Sequence, residues 1–490
     1  MFEAPEVNWY VLLPFVLVAG WATLLMVIDL FMLDENKGWA TGLTAVGLVI
    51  ALIVTVYQWF NGGGVTFVAN GLPMVVLDNF AIFLNGTLLL TGLLAILIST
   101  DFLRDNGLER PEYYMLLLFS LSGMMLMGMA NDLILVFLAL ELLSIPLYIM
   151  SGFAWPREDS EESAMKYFLL GAFSSSIFVF GIALTYGATG TTSLPLIVER
   201  VSMGSVLGLG AVAFILVGLA FKVAAAPFHM WTPDVYEGAP TAVTAFMSVG
   251  AKVAGFAALL RIFLIGFPNM GEGWIGAMAL LATLTLIMGN VVAITQKNIK
   301  RMLAYSSIAH AGYLLIAMAA SLNSPDGVSA VLFYLFAYLF GNLGAFAIVI
   351  ALEKKQGEGV LLDDYKGLFK RSPGWALAMA VFMLSLAGIP PTAGFVAKLY
   401  VFRAAIQADM VWLAIIGVVT AVISAYYYLR VVYLMFMFEG ETQVTAHPAL
   451  KWGVAIMVIV TLGLGLLPNG LFEVTRQAVL PTVMQALAGG

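Results

Sequence analysis

The sequence has no cysteine, few charges and only three histidines, and each shortage removes a class of chemistry. A chain of 490 residues without cysteine forms no disulfide, holds no iron–sulfur cluster through thiolates and has no cysteine nucleophile. The histidines are dispersed without zinc or haem spacing, and there is no Walker motif or dinucleotide-binding glycine motif. The energy for any work by this chain must therefore come from an ion gradient or from a partner.

Charge is scarce because hydrophobic residues fill most of the chain. Only 10% of the residues are charged and 62% are hydrophobic, which gives a mean hydropathy of +0.99. This composition predicts an all-α polytopic membrane protein. The net charge of −7 comes without a basic patch, so no nucleic-acid role is indicated. The acidic start MFEAPEVNW, followed by a full-length apolar run, predicts that the first helix is retained.

Apolar runs of about 20 residues recur along the chain, and each can cross a hydrocarbon core of roughly 30 Å as a helix. We count about fourteen such segments. Their bounds are 9–31, 40–60, 78–100, 113–131, 133–153, 163–187, 206–229, 241–265, 273–295, 302–321, 327–352, 374–407, 411–437 and 453–473. Pro227 interrupts the seventh segment and a Gly/Pro cluster interrupts the twelfth, so both are predicted to be broken helices. The cluster consists of Gly388, Pro390, Pro391 and Gly394.

Lysine and arginine are distributed unequally between the two sets of alternate loops. If the N-terminus lies outside, fourteen of these basic residues fall on the cytoplasmic side and only Arg200 and Arg476 on the other. The positive-inside rule then places both termini on the outer, periplasmic side, with an even number of spans.

The order of the segments indicates two repeats. Segments four to eight and nine to thirteen form five-helix blocks, each with a broken fourth member. Because five is odd, the second block must be inverted relative to the first, as in many transporters. We therefore predict an N-terminal three-helix part (1–111), two inverted five-helix repeats (112–265 and 266–437) and a C-terminal helix (438–490).

Four ionisable residues lie deep in apolar segments: Glu141, Lys222, Lys252 and Lys398. A bilayer retains such residues where they face the protein interior or internal water, so each is a functional-site hypothesis for ion or proton movement. Lys252 lies about 11 residues from either end of its segment, too deep for its ammonium to reach a headgroup. A lysine removed from water can exist as a neutral amine, as a proton relay requires. The alternative is a structural lysine bonded to backbone carbonyls at a helix break.

Lys222 precedes Pro227 by five residues, so carbonyls freed at the break and internal water can solvate it. We expect Glu141 to lie beside Lys222 and hold it charged, and separation of the two would release a proton. The alternative for Lys222 is a helix-end lysine. Lys398 follows the second break, and its equivalent placement predicts an equivalent role, although it can also snorkel. Interfacial or structural anchoring is expected for three arginines nearer segment ends, Arg261, Arg403 and Arg430.

The three histidines have different expected roles. His310 lies in YSSIAHAGY, and with the flanking residues 305–307 it can join a water-linked relay or pack as a hydrogen-bonded core histidine. His229, in PFHMWTPD, is expected at the cytoplasmic end of the broken seventh helix, where it assists proton uptake or anchors the loop. His447 lies in a polar loop and is expected to be inert.

Three long runs of the sequence carry a specific resemblance. They are AFKVAAAPFHMWTPDVYEGAPTAVTAFMSVGAKVAGF (220–256), QKNIKRMLAYSSIAHAGY (296–313) and LSLAGIPPTAGFVAKLYVF (384–402). Together they resemble the subunit N family of bacterial NADH-quinone oxidoreductase, respiratory complex I, over nearly the whole chain. The sister subunits L and M usually show a PxHxWLPDAH-type run where this chain has PFHMWTPDVYEGAP, and L carries a long additional C-terminal helix, so subunit N fits best.

The resemblance implies an antiporter-like fold of fourteen helices with two inverted five-helix units, in a bacterial inner membrane. It implies a subunit of a proton-translocating enzyme that performs no redox step itself. FMN, iron–sulfur clusters and quinone are then expected in partner subunits, with other membrane-arm subunits and lipid as neighbours. The relay residues that it implies are Glu141, Lys222, Lys252 and Lys398, with His310 and the cytoplasmic-end Lys300 in further positions.

Two other functions suit the same residues. A stand-alone or Mrp-like cation/proton antiporter would use the same fold and buried lysines to exchange sodium for protons. A structural membrane-arm subunit with a vestigial pathway would retain the residues without using them.

Overall fold

The computed structural model describes residues 6–32, 38–69, 71–202, 204–353, 358–441, 444 and 447–480. In these ranges the chain forms a bundle of helices, twelve of which are long and apolar enough to cross a membrane, so the predicted polytopic helical class is confirmed. In chain order the α-helices are α1 (Trp9–Asp29), α2 (Trp39–Asn61), α3 (Asn79–Asp105), α4 (Pro111–Met129), α5 (Leu133–Ser151), α6 (Glu158–Thr189), α7 (Leu194–Arg200), α8 (Val206–Lys222), α9 (Trp231–Gly238), α10 (Thr241–Arg261), α11 (Gly271–Ile294), α12 (Ile299–Ala320), α13 (Gly327–Leu352), α14 (Leu368–Arg371), α15 (Pro373–Ala387), α16 (Ala393–Gln407), α17 (Val411–Met437), α18 (Pro448–Leu466) and α19 (Asn469–Gln477).

Both predicted helix breaks are confirmed. The first separates α8 from α9, and the second separates α15 from α16. Proline cannot donate a backbone hydrogen bond, and Gly388 ends α15 in the left-handed conformation (φ 83°), which favours glycine. The first break begins earlier than predicted, because α8 ends at Lys222 and the irregular stretch continues to Met230. His229 therefore lies inside the break and not at the end of a helix.

Two further differences are a hairpin between two predicted segments and a split within the last one. The loop between α2 and α3 contains an antiparallel hairpin of β1 (Gly64–Ala69) and β2 (Leu72–Leu77), with Gly64 opposite Leu77. Its valines suit a pleated strand, but the stretch is too short to register as a membrane segment. The fourteenth segment is split into α18 and α19 at Pro468. Three of the basic residues on the predicted cytoplasmic side, Lys37, Lys354 and Lys355, lie outside the described residues.

The interior of the bundle is formed by α10, α12 and α13. Every residue of α10 is buried, and so is nearly all of α12 and α13, whereas only about a third of α1, α2 and α18 is buried. Helix α10 packs against α3, α4 and α13, and α12 packs against α9, α11, α13 and α16. Lys252 on α10 and His310 on α12 are therefore separated from the surface by surrounding helices.

Candidate functional site

Lys222 ends α8 at the first break, where its side chain is only 5% exposed. Its Nζ donates a hydrogen bond of 2.7 Å to Oγ of Ser144 on α5 and lies 5.7 Å from the centre of the Tyr167 ring. These contacts direct the ammonium inward. Lys222 is thus a helix-end lysine, as the alternative supposed, but its ammonium is buried.

Glu141 also lies on α5, one helical turn from Ser144, but it does not touch Lys222. Its Oε1 accepts a hydrogen bond of 2.5 Å from Oγ of Ser175 on α6. Among the described residues no ion pair within 4.0 Å joins Glu141 and Lys222, so the direct contact is absent, but the two groups are near enough to interact electrostatically. A small cavity lined by Ser144, Ser175 and Lys222 lies between the two serine-bonded groups. The two charges are separated by hydroxyl groups, which both donate and accept protons.

Lys252 lies in the middle of α10 and is 4% exposed. Its Nζ donates to the backbone oxygen of Ser307 on α12 and lies 5.2 Å from the centre of the Tyr338 ring. The accepting carbonyl belongs to the middle of a continuous helix, and not to a helix break as the structural alternative supposed.

His310 lies one turn beyond Ser307 on α12, in a cluster of tyrosines. Its Nδ1 hydrogen bonds with the Tyr334 hydroxyl at 2.6 Å, and its Nε2 lies 3.2 Å from the Tyr428 hydroxyl. Tyr428 in turn hydrogen bonds with Ser306. Of the residues flanking His310, Ser306 joins this network through its side chain and Ser307 through its backbone oxygen. Tyr305 is only partly buried, and its side chain has no part in the network.

Lys398 lies on α16 just after the second break. Its Nζ donates to the backbone oxygens of Leu386 and Ala387, at 3.0 and 2.8 Å, and lies 4.6 Å from the centre of the Tyr313 ring. With 4% exposure, the side chain does not snorkel to the surface. A Cβ on Gly388 would lie 2.7 Å from Cδ of Lys398, so glycine is needed there for space as well as for its backbone angle.

Aromatic contacts connect the central and second-break lysines. The centre of the His310 ring lies 4.9 Å from that of the Tyr338 ring, whose face contacts the Lys252 ammonium. It lies 6.1 Å from the centre of the Tyr313 ring, whose face contacts the Lys398 ammonium. The three ionisable groups therefore share one buried cluster of tyrosines on α12, α13 and α17.

Lys300 lies in the first turn of α12, seven residues before Ser307. It is 2% exposed, and its Nζ donates to the backbone oxygen of Ala239 at 2.7 Å. It lines a cavity of about 300 Å³ together with ion pairs such as Arg301 with Asp234, 2.7 Å apart. Arg157 lies in a loop on this cavity, where its guanidinium donates hydrogen bonds to the Asp159 carboxylate, and these bonds raise the pKa of Arg157 above its usual value.

The remaining predicted residues lie away from this cluster. His229 is mostly buried in the first break, and among the described residues its Nδ1 has no hydrogen-bond partner. His447 lies 2.9 Å from Asp105 near the bundle surface. The three arginines make anchoring contacts: Arg261 pairs with Asp78 at 2.6 Å, Arg403 with Asp326 at 3.1 Å, and Arg430 bonds the oxygens of Ile294 and Gln296 at 3.3 and 3.4 Å.

Sequence reasoning missed the hydroxyl partners of the site. Tyr334 and Tyr338 occur four residues apart in the apolar run VLFYLFAYLF, which places them on one face of a helix. A buried tyrosine needs a partner for its hydroxyl, so this pair was a detectable signal. Ser144 and Ser175 were not detectable, because serines also occur in apolar helices bonded to their own backbone. No group of three or more metal-ligating side chains occurs in the part of the chain that is described.

The profile of the family described as NADH:quinone oxidoreductase/Mrp antiporter, TM, matches residues 130–424. NADH-quinone oxidoreductase subunit N of Chloroflexus aggregans is 46% identical, covering 97% of this chain and 98% of that protein. The subunit N of Trichlorobacter lovleyi is 45% identical, covering 96% and 97%.

Two solved structures match over almost the whole chain. A chain of respiratory complex I from Thermus thermophilus with bound aureothin has a TM-score of 0.79 and 35% identity, covering 94% of this chain and 98% of that one. A chain of the Mrp complex from Dietzia sp. has a TM-score of 0.83 at 24% identity, covering 97% and 99%, and shows a shared fold.

Proposed function

The chain belongs to the NADH-quinone oxidoreductase subunit N family, and on that premise we propose that it moves protons across the membrane while partner subunits pass electrons from NADH to quinone. The observation that carries this function is the buried series of Lys222, Lys252, His310 and Lys398, each held by hydroxyl, carbonyl or aromatic groups. Ionisable groups are costly in a bilayer interior, and a series of them supplies the sites that a proton relay needs.

The proposed relay has four stages. Protons taken up on the cytoplasmic side charge Lys222 and Lys252, and a change at Glu141 moves the proton held near Lys222 through the hydroxyls of the intervening cavity. Transfer from Lys252 then passes the tyrosine-bonded His310. Lys398 takes part in release on the opposite side. Each transfer moves a proton between a neutral and a charged form of these side chains, with no redox change in this chain.

The neighbours of the chain are the other membrane-arm subunits. FMN, the iron–sulfur clusters and quinone are bound by partner subunits of the complex and not by this chain. Glu141 is partly exposed on a face of α5 that also exposes Ile134, Leu138 and Ile145. This face supports contact with a neighbouring subunit. A carboxylate on an apolar membrane-facing surface is costly unless a partner covers it.

The proposal includes fourteen spans, both termini on the periplasmic side of a bacterial inner membrane, and inverted repeats at 112–265 and 266–437. The charge ratio of fourteen to two supports the orientation. The two helix breaks, each followed or preceded closely by a buried lysine, support the repeats.

The test uses the intact complex in liposomes, with quinone reduction and proton translocation measured together. We expect Lys252→Met to lower both, and Glu141→Gln to lower the protons moved per electron, because each removes a proton-carrying group. Lys370→Met is the control, since Lys370 is exposed and pairs with Glu439 at the surface. Wild-type values for both activities in both variants would contradict the relay.

A second candidate is cation/proton antiport, which the fold shared with the Mrp complex favours. The purified chain in liposomes discriminates between the two functions. Sodium-driven proton flux without a redox partner would support antiport, and its absence would leave the redox-driven relay.

A further inference from the structure

Several buried polar atoms between Lys300 and Lys252 have no protein partner. Within the described residues, Oγ1 of Thr241 and Oγ of Ser307 are buried without a hydrogen bond, and so is the Tyr338 hydroxyl. Buried polar groups are normally satisfied by protein or by water, because an unmade hydrogen bond costs about 1–3 kcal/mol. A row of such atoms therefore marks a place for bound water.

Thr241 on α10 and Ser307 on α12 define a seam between these two packed helices, and Tyr338 on α13 lies at its inner end. Thr241 begins α10 two residues after Ala239, whose backbone oxygen accepts from Lys300. Ser307 lies seven residues, or about two turns, after Lys300 on α12, so the two share one helix face about 10 Å apart. At the inner end, the backbone oxygen of Ser307 accepts from Lys252.

The hydroxyls at the inner end are near one another without forming direct bonds. The Ser307 side chain is close enough to the Tyr236 and Tyr338 hydroxyls for weak hydrogen bonding with both, yet among the described residues its Oγ makes no hydrogen bond of normal geometry. A gap of about 10 Å is too long for direct proton transfer, but a short chain of waters bonded to these hydroxyls spans it.

Glu353 stands at the outer end of the seam. It follows the last residue of α13, is 8% exposed and lines the same cavity as Lys300, and its Oε2 is buried without a hydrogen-bond partner among the described residues. No ion pair within 4.0 Å joins it to Lys300 or Arg157, although both lie within its electrostatic reach. The other charged groups that line the cavity are paired with one another: Arg157 with Asp159, Lys166 with Glu162 and Asp234, and Arg301 with Asp234 and Glu237.

From this arrangement we infer that Glu353 collects protons from the cavity and passes them through Lys300 and the Thr241–Ser307 seam to Lys252. The inference rests on the proposed function, whose uptake route it specifies. A proton from a hydronium ion in the cavity binds the Glu353 carboxylate, and the carboxylic acid then gives it to the neutral amine of Lys300. Water in the seam carries the proton on to the amine of Lys252, and Glu353 returns to its carboxylate form.

The first test replaces the collecting group in the intact complex. Glu353→Gln keeps the shape of the side chain but removes the proton site, and we expect proton translocation to fall about hundredfold or more, because single proton-transfer groups contribute about 10²–10⁴-fold. The solvent deuterium isotope effect should rise, because proton uptake becomes the slow step. Glu353→Asp should retain most of the rate, because aspartate still provides a proton site. If Glu353 had only a structural role, the shorter aspartate would not be expected to retain the rate better than glutamine.

A matched control comes from the same cavity. Glu162→Gln removes an equal charge from a side chain that is 63% exposed and already paired with Lys166. It should change neither the rate nor the isotope effect. Equal loss in the Gln variants of Glu162 and Glu353 would attribute the effect to cavity charge and overturn the role of Glu353.

The second test interrupts the seam. Thr241→Val replaces the unpartnered hydroxyl with a methyl group of similar size, and proton translocation should fall several-fold with a raised isotope effect. Thr87→Val is the control, because the Thr87 hydroxyl is buried but bonds the backbone of its own helix at 2.9 Å. Equal rates in both valine variants would overturn the seam.

Lys252→Met separates failure of this inference from failure of the proposed function. If Lys252→Met stops translocation while the Glu353 and Thr241 variants are normal, the relay stands and this uptake route is wrong. If Lys252→Met is itself normal, the proposed function fails first.

Discussion

Lys398 holds the second helix break together, and its removal should loosen that break measurably. Its ammonium donates to the backbone oxygens of Leu386 and Ala387, which α15 leaves unpaired where it ends. Hydrogen bonds to charged groups contribute about 1.5–3 kcal/mol each, so loss of both in Lys398→Met costs about 3–6 kcal/mol. Every 1.4 kcal/mol is a factor of about ten in an equilibrium constant, so local opening becomes about 10²–10⁴-fold more frequent.

The lower end of this range is the better expectation. A small cavity lined by His310, Leu386 and Gly394 adjoins the break, and water there can bond the freed oxygens. We therefore expect about hundredfold faster amide hydrogen exchange at Gly388 and Ile389, whose amides bond the Leu384 oxygen.

The assay is hydrogen exchange followed by mass spectrometry on peptides covering 384–392 in the intact complex. Arg403→Met is the matched control, because Arg403 is on the same helix but is half-exposed and pairs with Asp326. Unchanged exchange in Lys398→Met would refute the holding role. Equal acceleration in both variants would show a general loosening of α16 instead.

Two other predictions concern an anchor and the tyrosine cluster. Arg261→Met leaves the Asp78 carboxylate without its buried partner and should destabilise the subunit by about 3–5 kcal/mol. The measurement is the aggregation temperature of the complex, which should fall. An unchanged temperature would contradict an anchoring role. Tyr428→Phe removes the hydroxyl next to His310 and should lower the number of protons moved per electron without altering assembly. Tyr427→Phe should leave that number unchanged, because the Tyr427 hydroxyl bonds Asn290 instead. Equal numbers of protons per electron in the two variants would exclude the Tyr428 hydroxyl from the relay.

Part of the candidate site was predictable from the residues themselves. The burial of Lys222, Lys252 and Lys398 followed from their depth in apolar segments, because a charged group in hydrocarbon is costly whatever surrounds it. Glu353 was not predicted, since a glutamate beside a loop carries no signal of burial. The Glu141–Lys222 contact was predicted but is absent here, because the two serines that separate the groups come from different helices.

By itself the sequence determined the membrane class, the approximate bounds of most apolar segments, the two helix breaks and the buried lysines. These follow from local properties, namely hydropathy over about 20 residues and the hydrogen bonds that proline cannot make. Only the tertiary structure decided which groups face each lysine: a serine at Lys222, a helical carbonyl at Lys252, and two freed carbonyls at Lys398. Those partners lie 11 to 78 residues away along the chain, and packing between helices sets such distances.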